Sequence, residues 1–131
     1  MSRIIIPGKP VPKGRPRFTK TGRTYTPKAT ELFERRVSTV AALQADEIYS
    51  GSVELKIWIS FPLLVGGTER KRVGDLDNYA KSIADGLNGI LYEDDRQIQS
   101  LTVQRTYGSL EGWCAVEVTE SEELAEAPLW T

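Results

Sequence analysis

The fold of this chain is constrained most by the run from Val53 to Phe61, in which apolar side chains alternate with Glu54, Lys56, Trp58 and Ser60. The apolar members occupy every second position, and Pro62 ends the run. Because successive side chains of a strand point to opposite faces, this segment predicts a strand with one face in a core. An apolar sheet face must be covered by a second layer, so the pattern favours a layered domain.

The segments around this strand predict two helices and three further strands. The first predicted helix extends from Thr26 to about Asp46, with Thr26 as cap and Pro27 in the first turn. The second extends from Leu76 to Ile90, where apolar residues again recur at helical spacing. The further strands are predicted at Ile4–Ile6, Gln97–Tyr107 and Trp113–Val118. A hairpin loop over 108–112 is expected to join the last two strands. The order β-α-β-α-β-β in 131 residues predicts a single two-layer α+β domain over 1–131, a mixed four-stranded sheet with both helices on one face.

The charges are unevenly distributed although the formal net charge is −1. Residues 1–28 hold eight basic side chains and no acid, whereas residues 108–131 hold six glutamates and no base. A clustered basic surface attracts a polyanion even on a chain without net positive charge. The other interpretation is a solvated basic arm without a partner. The acidic tail, residues 119–131, is expected to be frayed.

Two basic loops supply the candidate contacts to a polyanion such as a nucleic acid. The first, predicted over 7–28, contributes Lys13, Arg15, Arg17, Lys20, Arg23 and Lys28, and the second, before the second helix, contributes Arg70, Lys71 and Arg72. Phe18 and Tyr25 lie among the first group. They are candidates for stacking on bases or for anchoring the loop to the core.

The residues that the chain lacks narrow the chemistry. It contains no histidine, which removes histidine-rich zinc sites and imidazole bases. Its single cysteine, Cys114, excludes an intrachain disulfide, so we expect a reducing cytoplasm. No apolar run approaches the ~20 residues that span a bilayer, so no membrane partner is expected. A metal would then be a hard cation held by carboxylates.

Such carboxylates surround the start of the second predicted helix. Asp75 and Asp77 flank Leu76, and in extended backbone they would project together and share one cation. Lys81 and Asp85 follow Asp77 at four-residue intervals, on one helical face. An acidic turn with Asp94 and Asp95 follows the helix. The sequence does not show whether the fold brings this turn back to the start of the helix.

Magnesium takes oxygen ligands, polarises a phosphate and lowers the pKa of a bound water, while a lysine stabilises the developing charge. This combination is typical of phosphodiester hydrolysis. Each residue alone has an ordinary interpretation, with Asp77 as a helix cap, Lys81 and Asp85 as a surface ion pair, and the acidic turn as solvated.

These residues resemble the RusA-type Holliday-junction resolvases of bacteria and phages. The resemblance is carried by the segment Arg72–Lys81, which contains Asp-Leu-Asp-Asn and a following lysine, and by Asp85. Further matches are Asp94-Asp95 followed by Gln97, and the N-terminal segments 10–17 and 25–28. It covers nearly the whole chain. The sequence departs from the family pattern at Gly74, where a basic residue is common, and between Asp85 and Asp95, where it is about one residue shorter. The shorter segment leaves the relative pose of Asp94 and Asp95 open.

The resemblance implies a homodimer that binds four-way DNA junctions in recombination and repair and makes paired, symmetric nicks with magnesium or manganese. By position, Asp75, Asp77 and Asp95 match the family's metal-binding aspartates, Asp94 the adjacent acid and Lys81 the catalytic lysine. A two-fold symmetric junction needs two symmetry-related sites, which agrees with a dimer. The interface is expected at the apolar helix 76–90 or at the edge of the sheet.

Two alternatives remain at this point. Glu54 and Lys56, with Asp46 as a distant partner, mimic part of a restriction-type nuclease motif, although they lie on the polar face of the predicted strand. A non-catalytic nucleic-acid-binding module would need only the basic loops, because phosphate binding requires no carboxylate cluster.

Overall fold

The computed structural model describes residues 1–63, 74–121 and 126–131, and for Tyr107 the backbone alone. The predicted DNA contacts Arg70, Lys71 and Arg72 lie outside the described residues. None of the described helices is long and apolar enough to cross a membrane.

The described elements follow the predicted order, with one small hairpin added. The strands are β1 (Ser2–Pro7), β2 (Arg17–Phe18), β3 (Thr24–Tyr25), β4 (Val53–Pro62), β5 (Ile98–Ser109) and β6 (Trp113–Glu120). The helices are α1 (Lys28–Gln44) and α2 (Leu76–Leu87), and a 3-10 turn (Asp95–Gln97) precedes β5.

Four strands form one mixed sheet in the order β1-β6-β4-β5. β4 is parallel to β5, whereas β6 is antiparallel to both β4 and β1. One core joins the apolar face of this sheet to the two helices, through side chains such as Ile57 of β4, Val37 of α1 and Ile83 of α2. The predicted α+β fold with a mixed four-stranded sheet is therefore confirmed.

The predicted hairpin between the last two strands was wrong, because β4 lies between β5 and β6. The strand with the most regular apolar alternation takes a central place, where both of its edges are hydrogen-bonded. The link over 110–112 passes the end of β4. Gly112 makes this possible, since its φ is +90° and a Cβ there would lie 3.1 Å from the carbonyl oxygen of Ser60.

The predicted basic loop contains the hairpin β2–β3, and its turn is closed by hydrogen bonds from the Thr19 N–H to the Arg23 carbonyl (2.8 Å) and from the Gly22 N–H to the Thr19 carbonyl (3.0 Å). Helix α1 begins at Lys28, with Pro27 at the N-cap position and no side-chain cap hydrogen bond. The expected Thr26 cap is therefore incorrect.

Candidate active site

Helix α2 presents a polar face that carries three of the residues singled out in the sequence. Its apolar side chains, including Ala80, Ile83 and Leu87, are buried against the sheet. Asp77 and Lys81 are exposed on the other side, and the Lys81 Nζ lies 3.9 Å from the Asp85 Oδ2. The predicted four-residue spacing therefore does place them on one helical face.

A cleft of about 340 Å³ separates this helix from the beginning of β5. Its lining consists of Asp77, Ala80, Lys81, Ala84, Asp95, Ile98, Gln99, Ser100 and Leu101. β5 is an edge strand, and Leu101 on its helix-facing side is 51% exposed because α2 leaves it partly uncovered. The fold thus brings Asp77, Lys81 and Asp95 together at one opening.

Asp75 occupies a different place from the one expected. It is the N-cap residue of α2, with extended backbone (φ −64°, ψ 133°), and its side chain makes no cap hydrogen bond. Asp77 lies in the first helical turn, so the expectation that both carboxylates project together from extended backbone was wrong, as was the cap interpretation of Asp77. Asp75 is not among the residues that line the cleft.

The two aspartates of the acidic turn have different surroundings. Asp94 is the N-cap of the 3-10 turn, and its Oδ1 accepts a 2.9 Å hydrogen bond from the Arg96 N–H. Asp95 follows as the first residue of the turn and lines the cleft. The cap holds the backbone that presents Asp95.

Gln97 fixes this turn through four backbone groups. Its Oε1 accepts from the N–H groups of Glu93 and Asp94, and its Nε2 donates to the carbonyls of Tyr49 and Gly51, at 2.8–3.0 Å. The resemblance included Gln97 without a role for it. The local signal was the Asp-x-x-Gln spacing, which is typical of a reciprocal cap.

The neighbouring Asp94 carboxyl group, with burial and the other negative charges nearby, raises the pKa of Asp95, whereas the Lys81 ammonium opposes the rise. The pKa of Asp94 is lowered, chiefly by the hydrogen bond from the Arg96 N–H. A bound cation at this place would offset the negative charge of the two adjacent carboxylates.

The donors at the cleft fit a hard divalent cation in kind, because they are carboxylate oxygens. Within residues 1–63, 74–121 and 126–131, however, no three carboxylate or thiol side chains are grouped closely enough to hold a metal ion. The candidate oxygen donors are Asp77 and Asp95 on the cleft, with Asp75 two residues before Asp77 and Asp94 directly before Asp95.

The predicted DNA contacts of the N-terminal loop fall into two groups. Exposed side chains belong to Arg15, Arg17, Lys20, Arg23 and Lys28. Lys13 differs, because its side chain is only 22% exposed and its Nζ pairs with Glu34 (2.6 Å) and Asp85 (2.9 Å).

Phe18 and Tyr25 do not anchor the loop to the core, since they are 72% and 47% exposed on the hairpin β2–β3. Two exposed aromatic rings therefore lie among exposed cations, which is a common arrangement on surfaces that bind unpaired bases.

Glu54 and Lys56 lie on the sheet face opposite the cleft. Their neighbours Val53, Leu55 and Ile57 point into the core under the helices, so the alternation turns both charged residues outward. They are 4.0 Å apart and partly exposed. This placement argues against the restriction-type alternative.

A two-layer domain with an acidic, lysine-bearing cleft and an exposed cationic hairpin has the features of a nuclease that hydrolyses phosphodiester bonds. Residues 7–119 match the family described as Endodeoxyribonuclease RusA, and the chain belongs to this family. It is therefore an endodeoxyribonuclease of the Holliday-junction resolvase class. The chain is also similar to Uncharacterized protein YqaN of Bacillus subtilis (strain 168), with 29% identity over 123 residues, covering 80% of this chain and 87% of the relative.

Proposed function

We propose that the protein resolves four-way DNA junctions by magnesium-dependent hydrolysis, making paired symmetric nicks as a homodimer. The observation that carries the proposal is the meeting of Asp77, Lys81 and Asp95 at one cleft, although Asp95 comes from a different element than the other two. The family match supports the same reaction class.

The proposed metal ligands are Asp77 and Asp95, with Asp75 and Asp94 as adjacent donors. A bound magnesium or manganese ion would polarise the scissile phosphate and lower the pKa of a water molecule. Lys81, whose side chain is 59% exposed at the cleft, stabilises the negative charge that develops on the phosphate oxygens. Asp94 serves mainly to cap the turn that presents Asp95.

The exposed cations of the N-terminal hairpin bind the DNA backbone, and Arg70, Lys71 and Arg72 are proposed as further phosphate contacts. Contacts to phosphate fix the position of a protein on DNA and make its affinity strongly dependent on salt. Because the hairpin cations flank the rings of Phe18 and Tyr25, the same surface suits a branch point, where bases are less completely stacked than in duplex.

Two-fold symmetric nicking requires two cleavage sites, and one chain of this size supplies one. The apolar face of α2 packs into the core, which removes it as a candidate dimer interface. The edge of the sheet remains the proposed interface. The proposed setting is the cytoplasm, where the buried Cys114 remains a thiol.

The decisive experiment compares a synthetic four-way junction with a linear duplex of the same arm sequence. Each strand is labelled in turn, and cleavage is followed with magnesium, with manganese and with a chelator. We expect nicks at symmetry-related positions of the junction, loss of cleavage with the chelator, and little cleavage of the duplex.

Asp77→Asn serves as the inactive control, because it keeps the shape of the side chain but removes its charge. Junction binding without metal-dependent nicking by the wild-type protein would show a non-catalytic binding module. Equal cleavage of junction and duplex would retain the nuclease and reject the branched substrate.

A further inference from the structure

One oxygen atom of Asp85 lies between two lysines. The Asp85 Oδ2 is 2.9 Å from the Lys13 Nζ and 3.9 Å from the Lys81 Nζ. Lys81 belongs to the cleft, whereas Lys13 comes from the N-terminal segment that leads to the hairpin. Asp85 and Lys81 lie on the same helix, α2, yet their contact is longer than the contact between Asp85 and Lys13.

Lys13 is held in place by several contacts along α2 and α1. Its N–H donates to the Asn78 carbonyl (2.8 Å), and its ammonium also pairs with Glu34 at 2.6 Å. The Ser82 hydroxyl donates to the carbonyl of Val11, two residues earlier (2.7 Å). Lys13 is thus a fixed, partly buried charge, in contrast to the exposed Lys81.

We propose that Lys13 is a positioning residue for Lys81, acting through Asp85. By neutralising Asp85, Lys13 prevents this carboxylate from drawing the Lys81 ammonium into a close ion pair on the helix surface. Lys81 then remains available at the cleft. The catalytic consequence rests on the proposed function, whereas the effect on Lys81 itself does not.

The physical basis is competition for one carboxylate. The side chain of Asp85 is only 20% exposed, so water screens its charge incompletely, and it attracts the nearest cation strongly. If Lys13 is removed, Lys81, one helical turn away, is the nearest cation to Asp85 among the residues that the structure describes. A closed pair would hold the Lys81 ammonium away from a phosphate in the cleft.

A double-mutant cycle tests this coupling, with Lys13→Met, Asp85→Asn and the double variant. Single-turnover cleavage of a four-way junction gives the rate, and equilibrium binding gives the affinity. We expect Lys13→Met to lower the rate about 10-fold, as for other displaced catalytic groups, with junction affinity unchanged. In the Asp85→Asn background, Lys13→Met should not lower the cleavage rate further, because there is no Asp85 carboxylate to draw Lys81 away. Lys13→Arg keeps the charge and should retain most of the rate.

A second measurement needs neither DNA nor activity. The acetylation rate of Lys81 by a lysine-reactive ester is followed by mass spectrometry in the wild type and the three variants of the cycle. Circular dichroism first shows that these proteins are folded. Closure onto Asp85 favours the charged, unreactive ammonium, so Lys13→Met should slow acetylation about threefold, and the double variant should react like Asp85→Asn.

Three results would overturn the proposal. An unchanged acetylation rate of Lys81 in Lys13→Met would do so whether or not the protein cleaves junctions. Equal loss of rate in both Asp85 backgrounds would show that Lys13 only fastens the N-terminal segment. Weaker junction binding with a smaller salt dependence and an unchanged rate would make Lys13 a DNA contact. If the wild-type protein cleaves no junction, the proposed function fails, and acetylation alone decides the role of Lys13.

Discussion

Asp77 and Asp95 line the same cleft, although Asp77 lies in the first turn of α2 and Asp95 begins the 3-10 turn before β5. Their proximity depends on the packing of α2 beside the edge strand and on the cap that shapes the turn. Substitutions can therefore separate the chemistry of the cleft from the structure that supports it.

If Asp77 is a metal ligand as proposed, Asp77→Asn should reduce junction cleavage on the order of 100-fold or more, because a neutral amide binds a divalent cation more weakly than a carboxylate does. The measurement is single-turnover cleavage with magnesium. The matched control is Glu54→Gln, a change of the same kind on the opposite face of the sheet, which should leave the rate intact. If the two variants exchanged these outcomes, the cleft would be the wrong site.

Asp94 and Asp95 should separate stability from cleavage. Asp94→Ala removes the acceptor for the Arg96 N–H and should lower the unfolding midpoint by a few degrees, whereas Asp94→Asn should not, since asparagine caps equally well. Asp95→Asn should abolish cleavage with little effect on the midpoint. Thermal unfolding and junction cleavage on the same preparations check both parts, and strong loss of cleavage in Asp94→Asn would give Asp94 a direct role.

Phe18→Ala should weaken binding to a four-way junction about 10-fold, because an exposed ring that stacks on a base contributes about 1–3 kcal/mol. Binding to linear duplex should change much less. Leu43→Ala removes a similarly exposed apolar side chain from α1 and is the control for nonspecific effects. Equal weakening on junction and duplex would contradict a role for Phe18 at the branch point.

Lys13 should make part of the stability depend on alkaline pH. Burial lowers its pKa, but the hydrogen bonds and charges of Glu34 and Asp85 outweigh this, so the net pKa is raised above the ordinary 10.5. The stability that Lys13 contributes is therefore fully present below the pKa of lysine in the unfolded chain. It is lost as the pH rises through the higher pKa of Lys13 in the folded protein. Lys13→Met should lower the free energy of unfolding by about 1 kcal/mol at neutral pH, since water partly screens the ion pairs of Lys13 with Glu34 and Asp85.

Urea unfolding of the wild type and Lys13→Met at a series of pH values checks this prediction. The difference in unfolding free energy should stay constant through neutral pH and shrink above pH 10.5. A difference that grew with rising pH would contradict the assigned sign.

Gly86→Ala should destabilise the fold by about 1–3 kcal/mol through overpacking. A Cβ at this position of α2 would lie 2.8 Å from the Val37 Cβ and 3.0 Å from the Glu34 carbonyl oxygen on α1. Gly51→Ala is the matched control, because its Cβ would meet only the Glu120 carboxylate at 3.8 Å. Denaturant unfolding compares the two, and equal stability would mean that the helices can separate at little cost.

The sequence alone determined the features that depend on local periodicity. Alternation predicted the buried face of β4, and helical spacing placed Asp77, Lys81 and Asp85 on one face of α2, because a residue's direction follows from its neighbours in the same element. The cationic N-terminal segment was also evident from composition. The family resemblance, and no local pattern, supplied Asp95 as a partner of these residues.

Only the tertiary structure decided which elements meet. An alternating strand can pair with any other, so the position of β4 between β5 and β6 was not encoded in its pattern. The same packing brings Asp95 to Asp77 and draws Lys13 out of the exposed cationic group into a cluster with Asp85. These contacts join residues far apart in the chain, and their energies arise only when the two helices and the sheet share one core.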